Sequence, residues 1–197
     1  MAGAGIGLSI TSATAIATVS AVRAANAAVD RPANSMWNLP AVNRGRVAED
    51  IPYGRPAAIK GVTSWNFPTI DDLCLDENDP FYRVASSVKS IDLTAERYQN
   101  VSTLIRTLDD YADQLNNFTN RSWTSNGQLI EVTTADYDRR QLNIVMEPRA
   151  ATQQQANAIN QWLRTFSSRF TNNMTVSIQD VEANLPEAAA GGAAGEE

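Results

Sequence analysis

The apolar residues of this chain follow two different periods in alternating segments, and this pattern limits the folds that the chain can adopt. Residues 100–118 and 151–170 place apolar side chains at helical spacing, so each segment is predicted to form an amphipathic helix with one buried stripe. Residues 81–93, 141–148 and 174–181 alternate or run apolar over a short stretch, which is typical of strands. The predicted stripes consist of Leu104, Leu108, Tyr111, Leu115 and Phe118 in the first helix, and of Ala156, Ile159, Leu163, Phe166 and Phe170 in the second.

Two further segments complete the predicted order of elements. Residues 43–51 read as a helix that stops at Pro52, and residues 63–75 have strand character. The acidic, proline-containing stretch 76–80 then predicts a turn. The order helix, strands, helix, strand, helix, strand favours an α/β fold in which helices flank a mixed sheet.

The two ends of the chain differ from this middle part in composition. Residues 1–33 are rich in Ala, Gly, Ser and Thr, which predicts a flexible linker or the tail of an upstream domain. Such residues contribute little transfer free energy, so no stable membrane span is expected there. Residues 34–185 are predicted to form one domain of this 197-residue chain, and residues 186–197 a disordered tail.

The chain contains no histidine and a single cysteine, Cys74, and these two counts exclude several kinds of site. Catalysis by Ser-His-Asp or Cys-His groups, histidine-bound zinc and an internal disulfide are all ruled out. Any catalysis must depend on carboxylates, Lys, Arg, hydroxyls or a metal bound by oxygen. The net charge of −6 argues against a protein that coats nucleic acid through its overall charge, but it leaves room for a local basic groove.

Lys89, one of only two lysines in the chain, lies in the middle of a predicted strand with Ser87 on the same face. Glu49 lies on the first predicted helix and Asp71 on the preceding predicted strand. Two carboxylates that converge from separate elements form a site for a hard cation such as Mg²⁺ or Mn²⁺. A lysine beside such a cation can orient water or stabilise charge on a phosphate, so these residues are candidates for phosphodiester hydrolysis.

The spacing alone is also compatible with a purely structural interpretation. Glu49 is then a solvated helix residue, Asp71 caps a turn, and Lys89 protects the edge of a sheet from pairing with another chain. Any α/β protein can present a Glu, an Asp and a Lys in this order. Further residues around the three are therefore needed to decide between the two interpretations.

The residues around these positions resemble the C-terminal nuclease domain of bacterial contact-dependent growth inhibition toxins, over about residues 43 to 180. This order of acid, Asp and x-x-Lys is also that of the restriction-endonuclease-like, or PD-(D/E)xK, nucleases. Within the growth inhibition toxins, the sequence is most similar to the branch that cleaves transfer RNA. The matching segments are Asn43-Arg44-Gly45 with Glu49, then Phe67-Pro68-Thr69-Ile70-Asp71, and then Ser87-Val88-Lys89-Ser90-Ile91-Asp92-Leu93 followed by Tyr98-Gln99.

This resemblance implies a restriction-endonuclease-like fold with a divalent metal, Mg²⁺ or Mn²⁺, held by Asp71 and Glu49. It implies catalytic roles for Lys89 and for Ser87, which stands where the usual pattern has a second acid. It also implies secretion or delivery from the cell surface, action in the cytoplasm of a target cell, and a cognate immunity protein as partner. Whether a host activator takes part is left open.

Because serine binds a hard cation less well than a carboxylate does, such a site would need another acid. Asp72, Asp76 and Asp92 are the candidates. Strand alternation places Asp72 opposite Asp71 and Asp92 opposite Lys89, which argues against both of them.

Four basic residues are predicted to contact nucleic acid: Lys60, Arg139, Arg140 and Arg149. The three arginines flank the predicted strand 141–148, where they could line a phosphate groove or simply be solvated. Two alternatives to a transfer RNA nuclease stay open, namely a DNA nuclease of the same fold and a non-enzymatic docking module of a secreted adhesin.

Overall fold

The protein is built around a mixed five-stranded sheet. Its computed structural model describes residues 16–19, 22, 30–50, 69–75, 83–125, 127–170 and 173–181. The strand order is β1 (Ile16–Val19), β7 (Met174–Asp180), β6 (Arg139–Met146), β3 (Arg83–Ile91) and β2 (Asp72–Leu75). Strands β2 and β3 are antiparallel, and the other neighbouring pairs are parallel. The predicted α/β fold with a mixed sheet and flanking helices is confirmed.

A separate hairpin consists of β4 (Arg121–Ser125) and β5 (Gln128–Val132). The helices are α1 (Ala41–Asp50), α2 (Glu96–Gln99), α3 (Val101–Asn116) and α4 (Gln153–Arg169), and a 3₁₀ turn spans Met36–Asn38.

Helices cover both faces of the sheet. The larger core joins α3 and α4 to the face of β3 and β6 that carries Ala85, Ile91, Leu142 and Ile144. The smaller core joins α1 and the 3₁₀ turn to Val88 and Val145 on the opposite face. None of the described helices is long and apolar enough to cross a membrane.

The two predicted amphipathic helices are confirmed as α3 and α4. Leu104, Leu108, Leu115 and Phe118 are buried in the larger core, and Tyr111 packs against it as a partly buried residue. Each member of the predicted α4 stripe is buried as well. The helices begin at side-chain caps, Asn100 for α3 and a Thr152–Gln155 capping box for α4, because these residues satisfy backbone N–H groups that have no partner within a first turn.

The hairpin of β4 and β5 was not predicted, although the sequence carries a signal for it. Asn126-Gly127 separates two alternating runs, and such a pair favours a tight turn between antiparallel strands. Gly127 has a φ of 77°, a conformation that glycine adopts without steric cost. The hairpin presents Leu129 to solvent and leaves Trp123 partly exposed.

Part of the predicted N-terminal linker contributes to the sheet. Ile16–Val19 pair in parallel with β7 as the edge strand β1. Further on, the backbone N–H of Val22 donates to Asn160 Oδ1 at 3.1 Å, and Asn160 Nδ2 donates to the Val22 carbonyl at 3.1 Å. The folded sheet therefore takes in residues before position 34. The predicted tail 186–197 lies outside the described residues.

The strand predicted over 63–75 is observed as β2, which covers only Asp72–Leu75. Residues 63–68 and the predicted turn 76–80 lie outside the described residues. The helix predicted over 43–51 is observed as α1, which begins two residues earlier, after Pro40. Proline is well tolerated just before and within the first turn of a helix because its missing N–H would have no helical partner there.

Candidate active site

Lys89 lies on β3, close to Asp71, the residue that precedes β2. The antiparallel pairing of β2 with β3 sets Asp72 opposite Ser86. The backbone N–H of Asp71 donates to the Ser86 carbonyl at 2.8 Å, which holds Asp71 beside the same strand. Because side chains alternate along a strand, Asp71 therefore shares a face with Ser87 and Lys89.

One carboxylate oxygen of Asp71 collects three donors from β3. Asp71 Oδ2 accepts hydrogen bonds from Ser87 Oγ at 3.2 Å, from Lys89 Nζ at 3.2 Å and from the backbone N–H of Val88. The ion pair is sheltered, since the Lys89 side chain is 25% exposed and that of Asp71 is 13% exposed. Three of the predicted site residues thus meet at a single oxygen atom.

The second carboxylate oxygen of Asp71 differs from the first. Within the part of the chain that the structure describes, Oδ1 accepts no hydrogen bond, while Oδ2 accepts all three. An anionic oxygen without a donor next to a hydroxyl oxygen is suited to a hard cation. A carboxylate oxygen beside a hydroxyl is the kind of donor that Mg²⁺ or Mn²⁺ binds, and the role of Asp71 as a metal ligand stays a prediction.

Glu49 lies in the last turn of α1 and is half-buried. Its neighbour Ala48 packs with Val88 and Val145 in the smaller core, so α1 lies against the strand that carries Lys89. The side chains of Val88 and Lys89 point to opposite faces of β3, and α1 packs on the face that carries Val88. The role of Glu49 as a second ligand stays a prediction.

The additional acids considered from the sequence lie elsewhere. Asp72 pairs with Ser86 on the opposite face from Asp71, and Asp92 forms ion pairs with Arg31 and Arg44, as strand alternation predicted. Asp76 lies outside the described residues. Among the described residues, no group of three or more acidic or cysteine side chains is arranged to hold a metal. A cation at Asp71 would accordingly keep several waters, as Mg²⁺ commonly does.

The arginines predicted to contact nucleic acid occupy opposite ends of β6. Arg139 and Arg140 begin the strand, and Arg149 follows its end with a φ of 59°. The strand ends are separated by roughly 23 Å at strand spacing. They therefore do not form one compact patch. Lys60 lies outside the described residues.

Arg140 has contacts within the protein. Its Nη2 donates to the Phe118 carbonyl at 2.9 Å and to the Tyr137 hydroxyl at 3.1 Å. The guanidinium also lies over the Tyr137 ring, 4.9 Å from its centroid. These contacts anchor the chain after α3 to the start of β6.

Thr69 has an unusual backbone conformation two residues before Asp71. Its φ of 75° lies in the left-handed region, which β-branched residues rarely adopt. We expect Thr69→Asn to raise the free energy of unfolding by up to about 1 kcal/mol, because asparagine tolerates this region better. Thr69→Val, which keeps the branched shape and has a methyl group in place of the hydroxyl, is the matched control and should show no gain. Urea unfolding of both variants checks this, and an asparagine variant no more stable than the valine variant would contradict it.

A group of four charged residues, three of them buried, was not recognised from the sequence. Arg31, Arg44, Asp92 and Glu147, which we name the charge cluster, meet where β3 and β6 end. Arg44 and Asp92 belong to two of the sequence segments that carry the toxin resemblance. The sequence shows only that Arg44 and Asp92 carry opposite charges, which does not identify them as partners.

Asp92 makes folding stability depend on pH. Burial disfavours its charged form, but the hydrogen bond from Thr94 and the charge of Arg31 outweigh this and hold the pKa of Asp92 below its ordinary value of 3.8. Because the folded-state pKa is the lower one, this stabilisation is complete above the unfolded-state pKa and is lost as pH falls through the folded-state pKa. Arg44 and Glu147 also face Asp92 in the charge cluster, and the arginines stay charged throughout.

We therefore expect the free energy of unfolding to fall as the pH drops below about 4, and Asp92→Asn to remove part of this slope. Denaturant unfolding at neutral pH and at about pH 3 measures both slopes. The same slope in wild type and variant would show that Asp92 does not contribute.

Comparison with known proteins adds to this geometry. A family model described as the CDI toxin restriction endonuclease-like domain matches residues 44–179. No curated protein matches the sequence. A solved CdiA-CT/CdiI toxin and immunity complex from Yersinia pseudotuberculosis is similar to this chain, with 15% sequence identity, a TM-score of 0.44, and coverage of 73% of this chain and 100% of that chain.

The likeness to that solved complex is too distant to support a conclusion about this chain. The family match is different in kind, since it spans more than half of the sequence and includes Glu49, Asp71, Ser87 and Lys89. The chain therefore belongs to the CDI toxin restriction endonuclease-like domain family.

Proposed function

We propose that this toxin domain is a metal-dependent endonuclease of interbacterial competition that hydrolyses phosphodiester bonds in transfer RNA. The observation that carries the proposal is the convergence of Ser87, Lys89 and Asp71, with Lys89 Nζ 3.2 Å from Asp71 Oδ2. Family membership supplies the toxin class and the restriction-endonuclease-like domain. A divalent cation and a lysine together can hydrolyse a phosphodiester without histidine, which this chain lacks.

In this proposal Asp71 holds the cation, with Glu49 as second ligand directly or through water. When bound, such a cation polarises a phosphoryl oxygen and lowers the pKa of coordinated water. Lys89 places its ammonium beside the reacting phosphate and stabilises the negative charge that grows in the transition state. Ser87 orients the Asp71 carboxylate through its hydroxyl, and the Val88 N–H supports the same oxygen.

Transfer RNA as the substrate depends on the sequence resemblance to the branch that cleaves it. DNA is the second candidate, and the description of the matching family as restriction endonuclease-like favours it. Lys60, Arg139, Arg140 and Arg149 are proposed to contact the phosphate backbone in either case. Since Arg139 and Arg149 lie at opposite ends of β6, they would contact phosphates several nucleotides apart.

One experiment separates these possibilities. The purified chain is incubated with total RNA and with plasmid DNA, each with Mg²⁺ and with a chelator, and sequencing of new RNA ends locates any cut. Cleavage of transfer RNA only with Mg²⁺ supports the proposal, and cleavage of plasmid alone replaces it with the DNA nuclease. Cleavage of neither substrate, by a chain that is folded, would favour the docking module.

A cognate immunity protein is the proposed partner, because a cell that makes such a nuclease must neutralise it. Delivery from the surface of the producing cell to the cytoplasm of the target cell is proposed with it, and a host activator is a further candidate partner. Since the net charge of the chain is −6, any basic surface that contacts nucleic acid must be local. An inhibitor of this surface is expected to present acidic residues at its contact face.

We expect coexpression of the immunity protein to relieve toxicity and to occlude the Lys89 face. Its complex with the toxin should weaken with added salt more than an apolar interface would, because salt screens charge pairs. Binding isotherms at low and high salt, together with cleavage assays, measure both effects. An immunity protein that binds only the first thirty residues and leaves cleavage unaffected would contradict this view of the inhibited surface.

A further inference from the structure

A short segment before α1 packs against that helix. Residues 31–38, which we name the latch, contain the 3₁₀ turn and end shortly before Ala41, where α1 begins. Met36 and Trp37 of the turn are 0% and 2% exposed. They are the two largest side chains of the smaller core, whose other buried members are Ala48, Val88 and Val145. The latch therefore supplies much of the apolar surface that α1 and the sheet bury on this side.

Arg31 ties the latch to the sheet. Its Nε donates to Glu147 Oε1 at 2.8 Å, and its Nη2 donates to Glu147 Oε2 at 2.6 Å and to Asp92 Oδ1 at 2.9 Å. Its Nη1 donates to the Trp37 carbonyl at 3.3 Å, so one guanidinium joins the start of the latch, the 3₁₀ turn and the two acids. A planar guanidinium suits this forked arrangement, and a lysine could not reproduce it.

The two acids depend on this guanidinium while the latch is closed. Asp92 and Glu147 directly follow the neighbouring strands β3 and β6, and they are 9% and 4% exposed. Adjacent strands lie about 4.8 Å apart, so the acids leave the sheet close together. Arg44 adds a longer contact to Asp92, at 3.4 Å. Removal of Arg31 would leave buried negative charge uncompensated, which strongly destabilises a folded state.

In the described part of the chain, the side chains of the latch join it to the sheet more than its backbone does. Between described residues, its backbone hydrogen bonds are local, from the N–H of Ser35 to the Pro32 carbonyl at 2.9 Å and from that of Asn38 to the Ser35 carbonyl at 3.1 Å. The Trp37 indole donates from Nε1 to the Val181 carbonyl at 2.9 Å. None of the latch residues belongs to the larger core as the described residues form it. The latch can therefore separate from the sheet without unpacking α3 and α4.

We infer that the latch opens as a unit and uncovers the smaller core while the larger core stays folded, with Arg31 as the residue that keeps it closed. Val88 and Val145 then become accessible on one face of β3 and β6, and α1 loses the turn against which it packs. The inference goes beyond the proposed function and does not depend on it, since neither the contacts nor the test involve cleavage. The latch precedes residues 44–179, so a domain trimmed to the family match would lack it.

Amide hydrogen exchange of the full chain at increasing denaturant concentration, below the unfolding transition, tests this inference. In the wild type, the amides of Asn38 and Leu39, which close the 3₁₀ turn, should open with a smaller denaturant dependence than the slowest amides of α3 and α4. A smaller dependence means that less surface becomes exposed, as expected when only the smaller core opens.

Arg31→Gln should speed exchange at Asn38 and Leu39 by at least about tenfold, because the buried acids lose their cation. Arg169→Gln is the matched control. It breaks an ion pair of 2.7 Å with Asp109 that joins α4 to α3, and it should leave the latch amides at the wild-type rate.

The double variant Arg31→Gln/Glu147→Gln distinguishes the charge from the shape of Arg31. It removes one of the uncompensated carboxylates, so its latch amides should exchange more slowly than those of Arg31→Gln but faster than those of the wild type. If Arg31→Gln alone does not fold, the double variant still allows the comparison with the wild type.

Several results would overturn the inference. Latch amides with the same denaturant dependence as α3 and α4 in the wild type would show that the segment opens only when the whole fold does. An Arg31→Gln variant that matches Arg169→Gln at these amides would show that Arg31 does not keep the latch closed. A folded double variant that matches the wild type, or that is no slower than Arg31→Gln, would contradict the role of the buried charges. Failure of both Arg31 variants to fold would show that the latch and the larger core do not separate.

Discussion

Lys89→Ala is expected to lower the rate of phosphodiester cleavage by at least a hundred- to a thousandfold, the usual loss when a charge-stabilising group is removed from a reacting centre. The fold should persist. Lys89 is partly exposed, and its ion pair among the described residues is with Asp71, so the loss in stability should be about 1 kcal/mol. Single-turnover cleavage measures the rate, and circular dichroism with thermal unfolding confirms that the variant is folded.

Lys89→Arg is the matched variant, because it keeps the charge and changes the shape. Arginine ends in a broad planar fork, whereas lysine ends in a compact ammonium that fits beside Asp71 Oδ2 and Ser87. We expect the arginine variant to be nearly inactive as well. If it retains near wild-type activity, Lys89 acts only as a general positive charge, and its catalytic assignment is wrong.

Asp71→Asn is expected to remove metal binding and cleavage together. Asparagine has the same shape and can still accept hydrogen bonds from Ser87 and Val88, but it lacks the negative charge that a divalent cation needs. Lys89 would also lose its ion-pair partner. Calorimetric titration with Mn²⁺ measures the affinity, and a metal-soaked crystal should show oxygen ligands at about 2.0–2.6 Å in the wild type.

Asp72→Asn is the control for Asp71→Asn, because the two acids are adjacent and point to opposite faces of β2 and β3. It should leave Mn²⁺ affinity close to that of the wild type. Loss of metal in Asp72→Asn with retention in Asp71→Asn would mean that the wrong face of the sheet has been assigned to the site.

Much of the fold could be predicted because it depends on short-range periodicity. The stripes of α3 and α4 repeat within one or two turns, and any helix that buries them must use the residues found at that spacing. The grouping of Ser87 with Lys89, and the exclusion of Asp72 and Asp92, follow from alternation along a strand in the same way. The edge strand β1 was not predicted, since four residues, Ile16–Val19, are too few to show a period and form a strand through pairing with β7.

The sequence by itself determined the three longer helices, the main strands and the set of residue types available for chemistry, because each depends on composition or on neighbours a few positions apart. The tertiary structure decided which atoms meet. Asp71 Oδ2 receives its donors from residues 16 to 18 positions away, and Arg31 pairs with acids 61 and 116 positions away. It also separated Arg139 from Arg149 along β6. Contacts of this range depend on strand order and register, which arise when the whole core packs and are not written in any local pattern.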